Sequence, residues 1–181
     1  MLEVERKFIV PLEHHARFLD MIEHGAGENV TQAYIARDKE GTVARVRISK
    51  HRGGGSPASC KVTIKGPSPD GGLSRPEWEW PVLPHIAQDM IDTLKPPTLR
   101  KIRLVVPYMK ANWEVDILTL EDGRHLIVAE VELPGKEQVM GVALPPWVGE
   151  EVTGAKHFSM ANLTSTFSQE NAWAIAYRNR T

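Results

Sequence analysis

The chain has 181 residues, 41% hydrophobic and 25% charged, with a formal net charge of -1, which is enough for one domain and too little for two comfortable ones. That balance argues against nucleic acid or an anionic membrane as a partner, so any charge-driven function must be local. Cys60 is the single cysteine, which excludes an internal disulfide framework and a cysteine-based zinc site and fits a reducing, cytoplasmic setting.

In chain order, "LEVERKFIV" alternates and ends in a β-branched apolar run, the pattern of a strand. "PLEHHARFLDMIEHG" opens on a proline suited to a first helical turn and places Leu12, Phe18, Leu19 and Ile22 near helical spacing before Gly25. "VTQAYIARD" and "TVARVRISKHR" flank "KEG" as a hairpin, and "GGGSP" breaks the second run. "SCKVTIKG" and "LSRPEWEWPV" alternate again around the turn "PSPDGG", and "PHIAQDMIDTLKPP" reads as a helix closed by two prolines. "LRKIRLVV", "NWEVDILTL" and "HLIVAEVELP" are three further strands. "PPWVGEEVTG" is irregular, and "AKHFSMANLTSTF" and "ENAWAIAYRNR" read as C-terminal helices from about residue 156. Many short strands with few helices predict a mainly β (α+β) single domain over 1–181, an antiparallel barrel or sandwich. With no apolar signal core and no apolar run near the ~20 residues that span a bilayer, neither secretion nor membrane insertion is expected.

The strands share an unusual charge pattern. Side chains alternate faces along a strand, so Glu3, Glu5 and Lys7 project together. Two carboxylates ~6.6 Å apart at an effective dielectric of about 20 repel by on the order of 2.5 kcal/mol. The same alternation puts Arg45 with Arg47, Lys61 with Lys65, Arg75 with Glu77 and Glu79, Lys101 with Arg103, Glu114 with Asp116, and Glu130 with Glu132. One such strand is what a half-solvated sheet looks like. A solvated face, however, usually mixes signs, because opposite charges across a strand pair stabilise it, whereas several strands here carry one sign throughout. Closing the sheet with these faces inward makes a water-filled tunnel with an acidic part and a basic part, its apolar outer faces covered by helices. Clustered carboxylates suit a hard divalent cation, magnesium or manganese. Clustered arginine and lysine suit a phosphate chain.

These residues resemble a known family. "EVERK" is similar to the ExExK signature of CYTH domains, the triphosphate tunnel metalloenzymes, and "RVR", "KVTIKG", "GGLSRPEWE", "RKIR", "WEVD", "AEVELP" and "PPWVGEEVT" resemble its later motifs in order, to about Leu163. The resemblance implies an eight-stranded antiparallel barrel acting on inorganic triphosphate or an organic triphosphate with Mg²⁺ or Mn²⁺. It implies Glu3, Glu5, Glu130 and Glu132 as metal ligands, and Lys7, Arg45, Arg47, Lys65, Arg75, Lys101 and Arg103 as phosphate contacts. Glu5, Lys101, Asp116 and Glu79 are the implied catalytic residues. Inorganic triphosphatase activity is the leading expectation, with a class IV adenylate cyclase or a nucleoside or thiamine triphosphatase as the alternative. A non-catalytic polyphosphate-binding module is a third reading, and both a monomer and a homodimer are left open. Phe158, Ser159 and Met160 depart from the Tyr-x-Asn common in small bacterial members, which leaves Lys156 and His157 as the candidates for contacts at the tunnel mouth. Cys60 is expected buried, Trp78 is expected under a helix outside the barrel, and the histidines show no metal-ligand spacing beyond the adjacent His14 and His15.

Overall fold

The computed structural model describes residues 2–178. Eight antiparallel strands close into a barrel: β1 (Leu2–Ile9), β2 (Glu28–Arg37), β3 (Val43–His51), β4 (Ser59–Lys65), β5 (Ser74–Pro81), β6 (Thr98–Tyr108), β7 (Ala111–Thr119) and β8 (His125–Glu132). The order around the barrel is β1-β5-β4-β3-β2-β6-β7-β8. Three α-helices accompany the strands: α1 (His15–Glu23), α2 (Pro84–Leu94) and α3 (Thr166–Tyr177). Pro84 at the start of α2 and Lys95 in the left-handed region before Pro96 and Pro97 delimit that helix as the sequence predicts.

The apolar phase of most strands is buried outside the barrel. Phe8, Trp113, Val115, Ala129 and Val131 pack with Phe18 of α1 and with Trp147. Trp113 meets the Phe8 ring at 5.6 Å and the Trp147 ring at 5.7 Å, tilted and edge-on geometries worth about 0.5–1.5 kcal/mol each beyond burial. Helix α2 covers β3 and β4 through Ala87, Met90 and Ile91, and Cys60 is buried beneath it as expected. Two expectations fail here. Trp78 points outward but stays 48% exposed, as Trp80 is at 49%, because α2 leans on β3 and β4 and leaves β5 uncovered. Leu12 is likewise exposed, on a 3-10 turn before α1.

The inward phase changes character along the barrel. Ile9, Leu99, Leu118, Leu126 and Val128 are in phase with the charged residues of their strands, yet they form an apolar cluster with Phe158, Met160, Leu163 and α3. This plug corrects the reading of 155–167 as helix. The segment has one 3-10 turn, Lys156–Phe158, followed by turns, and α3 begins at Thr166 behind the Ser165 cap. Phe158 and Met160 take the place of the polar pattern by entering this cluster, so the inner wall beside them is apolar.

Residues 149–154 form a strap that completes the sheet. β5 pairs with β1 only at Leu2, Glu3 and Val4. Beyond it, Gly149 N donates to Ile9 O, Ile9 N to Glu150 O, and Val152 N to Lys7 O. The strap ends where Gly154 abuts Gly71 and Gly72, with positive φ at Gly72 (+100°) and Gly154 (+72°). A Cβ at Gly154 would lie 1.6 Å from the Gly71 carbonyl oxygen. Gly154→Ala is therefore expected to destabilise the protein by about 1–3 kcal/mol or more. Denaturant unfolding checks this, and an unchanged midpoint would show that the contact is dispensable.

Candidate functional site

The barrel encloses a cavity of about 570 Å³ that reaches both charged walls. Strand order sets their arrangement. β7, β8 and β1, which carry Glu114, Glu130, Glu132, Glu3 and Glu5, are consecutive, while β3, with Arg45 and Arg47, lies four strands from β8 in the closed ring. Register sharpens the acidic side: Glu5 is the cross-strand partner of Glu132, and Glu114 of Glu130. On the basic side Arg47 is the partner of Lys61.

Three ion-pair clusters hold these walls. In the first, Lys65 Nζ lies 2.6 Å from Glu3 Oε1 and 3.0 Å from Glu77 Oε2, while Arg75 reaches Glu3 at 3.1 Å and Glu5 at 3.2 Å. The crowding of Glu3 and Glu5 is thus relieved by a lysine and an arginine from β4 and β5. In the second, Asp116 accepts from Lys101 Nζ at 2.5 Å and from Arg103 Nε at 2.7 Å and Nη2 at 2.6 Å. Arg103 also pairs with Glu114 and, at 3.2 Å, with Glu130, which Lys7 Nζ meets at 2.8 Å. The third lies on β3, β4 and β5, where Glu79 accepts from Lys61 at 2.6 Å, Thr63 at 3.0 Å and Arg47 at 3.3 Å.

The second cluster is the driest. Asp116 is fully buried, and Lys7, Lys101 and Glu130 are buried. Burial alone would neutralise these groups. Against it, Lys7 and Arg103 hold the Glu130 carboxyl well below its usual range, and Arg103 and Lys101 lower Asp116. Glu130 and Glu5 hold the Lys7 ammonium above its usual range despite burial. Lys101 is the exception: burial and the Arg103 guanidinium push its ammonium down to about 8, outweighing Asp116.

Two observations mark charge that the walls do not neutralise. Arg45 makes no ion pair among the described residues, and its Nε is buried without a hydrogen-bond partner. It contacts the hydroxyl of Tyr34. Glu132 and Glu114 are pushed up from the carboxylate range, Glu132 by burial and by the carboxylates of Glu3, Glu114 and Glu77, and Glu114 by burial, which outweighs Arg103. The cavity therefore offers a guanidinium with an unpartnered Nε on one side and crowded carboxylates on the other.

Among the described residues no three acidic or histidine side chains converge as a ready metal cage. The donor set nonetheless fits a hard divalent cation: Glu5 and its partner Glu132 are carboxylates on adjacent strands, and Glu132 is raised by burial and by the carboxylates of Glu3, Glu114 and Glu77, a crowding of negative charge that such an ion offsets.

Every charged strand residue singled out from the sequence lines this cavity except Asp116, which lies directly behind Lys101 and Arg103. Lys156, expected at the tunnel mouth, lines this cavity, whereas sequence reasoning missed Tyr34, Gly72, Gly154 and, at the far end, Arg37, Lys39 and Asn162. Tyr34 lies on β2, whose sequence has no one-sign charge pair to mark its inward phase. The others depend on the strap and the β2–β3 turn meeting the C-terminal segment, for which no local pattern exists.

The profile of the CYTH domain matches residues 1–167. The chain is 32% identical over 162 residues to an inorganic triphosphatase of Acetivibrio thermocellus, covering 89% of this chain and 92% of the relative. Among solved structures, the inorganic triphosphatase NE1496 superposes with a TM-score of 0.53 at 19% identity, covering 90% of this chain and 95% of that one. A candidate adenylate cyclase from Bacillus halodurans does so with a TM-score of 0.53 at 19% identity, covering 77% and 84%. At these identities the likeness of the two structures is one of fold.

Proposed function

The chain belongs to the CYTH domain family, and from that premise we propose that it hydrolyses inorganic triphosphate to diphosphate and phosphate inside the barrel. The observation that carries this reading is the facing of an acidic wall and a basic wall within one closed cavity, with the Arg45 Nε left without a partner. A chain of phosphates supplies the acceptors this wall lacks, and the relative from Acetivibrio thermocellus acts on inorganic triphosphate by name.

Lys7, Arg45, Arg47, Lys65, Arg75 and Arg103 bind the phosphate oxygens, the arginines through paired N–H donors. Triphosphatases of this family depend on a divalent metal, and Glu3, Glu5, Glu130 and Glu132 are assigned to hold it, as Mg²⁺ or Mn²⁺. Glu5 and Glu132 are the stronger pair, since Lys7 and Arg103 already engage Glu130. When bound, the ion neutralises phosphoryl oxygens and activates water. In the reaction the water oxygen forms a bond to the terminal phosphorus, the bridging P–O bond breaks, and diphosphate departs with its electron pair. Glu79, partly open on the cavity wall, is assigned to take the water's proton, and Lys101, with its ammonium near 8, is assigned to donate to the leaving oxygen. Asp116 acts through Lys101 and Arg103, holding both side chains against the cavity.

This role for Lys101 predicts a pH limb. The ammonium is protonated below about 8 and loses its proton above it, so kcat/KM for triphosphate is expected to fall as pH rises through that region. Lys101→Arg should abolish this limb, and a limb unchanged in the variant would assign it elsewhere.

The substrate reading is tested by incubating the protein in parallel with inorganic triphosphate, ATP and thiamine triphosphate, assaying phosphate and cyclic AMP. Phosphate release favouring inorganic triphosphate is expected. Cyclic AMP from ATP would move the chain to the cyclases of the fold.

A further inference from the structure

Beyond Val4, β1 loses β5 as its neighbour and the strap takes that place. The strap alternates as a strand does: Val152 and Gly154 line the cavity, while Glu151 and Thr153 do not. Those two meet Arg6, which shares the outward phase of β1 with Val4 and Phe8. Arg6 Nε lies 3.0 Å from Glu151 Oε1 and Nη2 lies 2.6 Å from Oε2, a bidentate pair, and Nη1 donates to Val139 O at 3.1 Å. The guanidinium also sits over the Phe8 ring, 4.9 Å from its centroid. Thr153 Oγ1 donates to the same Glu151 Oε1 at 2.8 Å and accepts the backbone N–H of Lys7 at 3.0 Å. Val152 N donates to Lys7 O at 2.8 Å, so both main-chain groups of Lys7 that face the strap are engaged.

An exposed ion pair alone contributes little, and a threonine at the surface ordinarily needs no partner but water. This set differs because it is contiguous and ends on the backbone of a residue whose side chain is in the site. Lys7 is buried, with Nζ 2.8 Å from Glu130 Oε1. In regular antiparallel pairing a carbonyl of the neighbouring strand accepts such an N–H. Here a rotatable hydroxyl stands in, and its direction is set by a carboxylate that Arg6 clamps at both oxygens. We propose that Arg6, Glu151 and Thr153 are positioning residues for Lys7, fixing β1 against the strap and with it the point at which the Lys7 ammonium meets the phosphate chain. None of the three lines the cavity, so their influence on substrate passes through the Lys7 backbone. The inference rests on the reading of the tunnel as a triphosphate hydrolase site and adds to it residues outside the barrel.

Thr153→Val keeps the shape of the side chain and removes the hydroxyl. With triphosphate at saturating Mg²⁺, it is expected to raise KM on the order of tenfold while kcat changes less than about twofold, the signature of a displaced binding contact. A merely structural role gives the opposite split, because partial unfolding removes active molecules, lowers the apparent kcat and leaves KM where it was. Thr153→Ser restores the hydroxyl and should return KM to within about twofold of the parent value. Arg6→Gln, which releases Glu151 and leaves Thr153 in place, should raise KM in the same direction by about threefold, and it decides the question if Thr153→Val does not fold. An unchanged KM in Thr153→Val, or a raised KM that serine does not rescue, overturns the proposal. If the parent protein does not turn over triphosphate at all, the hydrolase reading has failed, and calorimetric titration of triphosphate into the same proteins decides the positioning role by the same ratios in Kd.

Discussion

Triphosphate turnover is expected to fall on the order of 10²-fold or more in Glu5→Gln, with the fold retained. The substitution keeps the side chain's size and removes one charge from the acidic wall, where Glu5 faces Glu132 across β1 and β8. Structurally little is lost, because Arg75 keeps its contact with Glu3 at 3.1 Å when the 3.2 Å contact to Glu5 weakens. Weakened metal binding should show as partial rescue by higher Mn²⁺. Circular dichroism separates this outcome from unfolding, and undiminished turnover would remove Glu5 from the site.

Asp116→Ala should act the other way round, on stability first. It strips the shared carboxylate from Lys101 and Arg103 in the driest part of the barrel. Breaking one side of a buried ion pair destabilises by about 3–5 kcal/mol, because the remaining charges have lost their solvent and their partner. Denaturant unfolding reads the loss directly, and Asp116→Asn, which keeps the shape, isolates the part due to charge. A change below about 1 kcal/mol would mean that water reaches Lys101 freely. The pH dependence has a definite sign. Asp116 and Glu130 are depressed below their usual values of 3.8 and 4.5. Their contribution to stability is therefore full above about pH 4.5 and is lost as pH falls through the depressed folded values.

Much of the site was legible because a strand's period is two. Once Glu3, Glu5 and Lys7 share a face, closure of the barrel puts them inside together, and the same holds for Lys101 with Arg103 and for Glu130 with Glu132. What the period leaves open is which strands become neighbours. The acidic wall exists because β8 lies between β7 and β1, a fact of topology. The relief of Glu3 by Lys65 joins side chains far apart in sequence and is equally invisible along the chain. The segment after the strap misled for a physical reason. Phe158, Met160 and Leu163 are buried by plugging the barrel's inner wall, and that packing overrides local preference. Trp78 shows the converse: its phase was right and its cover wrong, because a period fixes the face and says nothing about where a helix comes to rest.

The central claim is that the charged interior is a metal-dependent phosphoanhydride hydrolase site. Its most direct test is phosphate release from inorganic triphosphate by the purified chain with Mg²⁺ or Mn²⁺ and again with excess EDTA. The account predicts equal yields of phosphate and diphosphate with metal and none with EDTA. Triphosphate that binds equally well with and without metal and is never cleaved would contradict it, leaving a binding module in place of an enzyme.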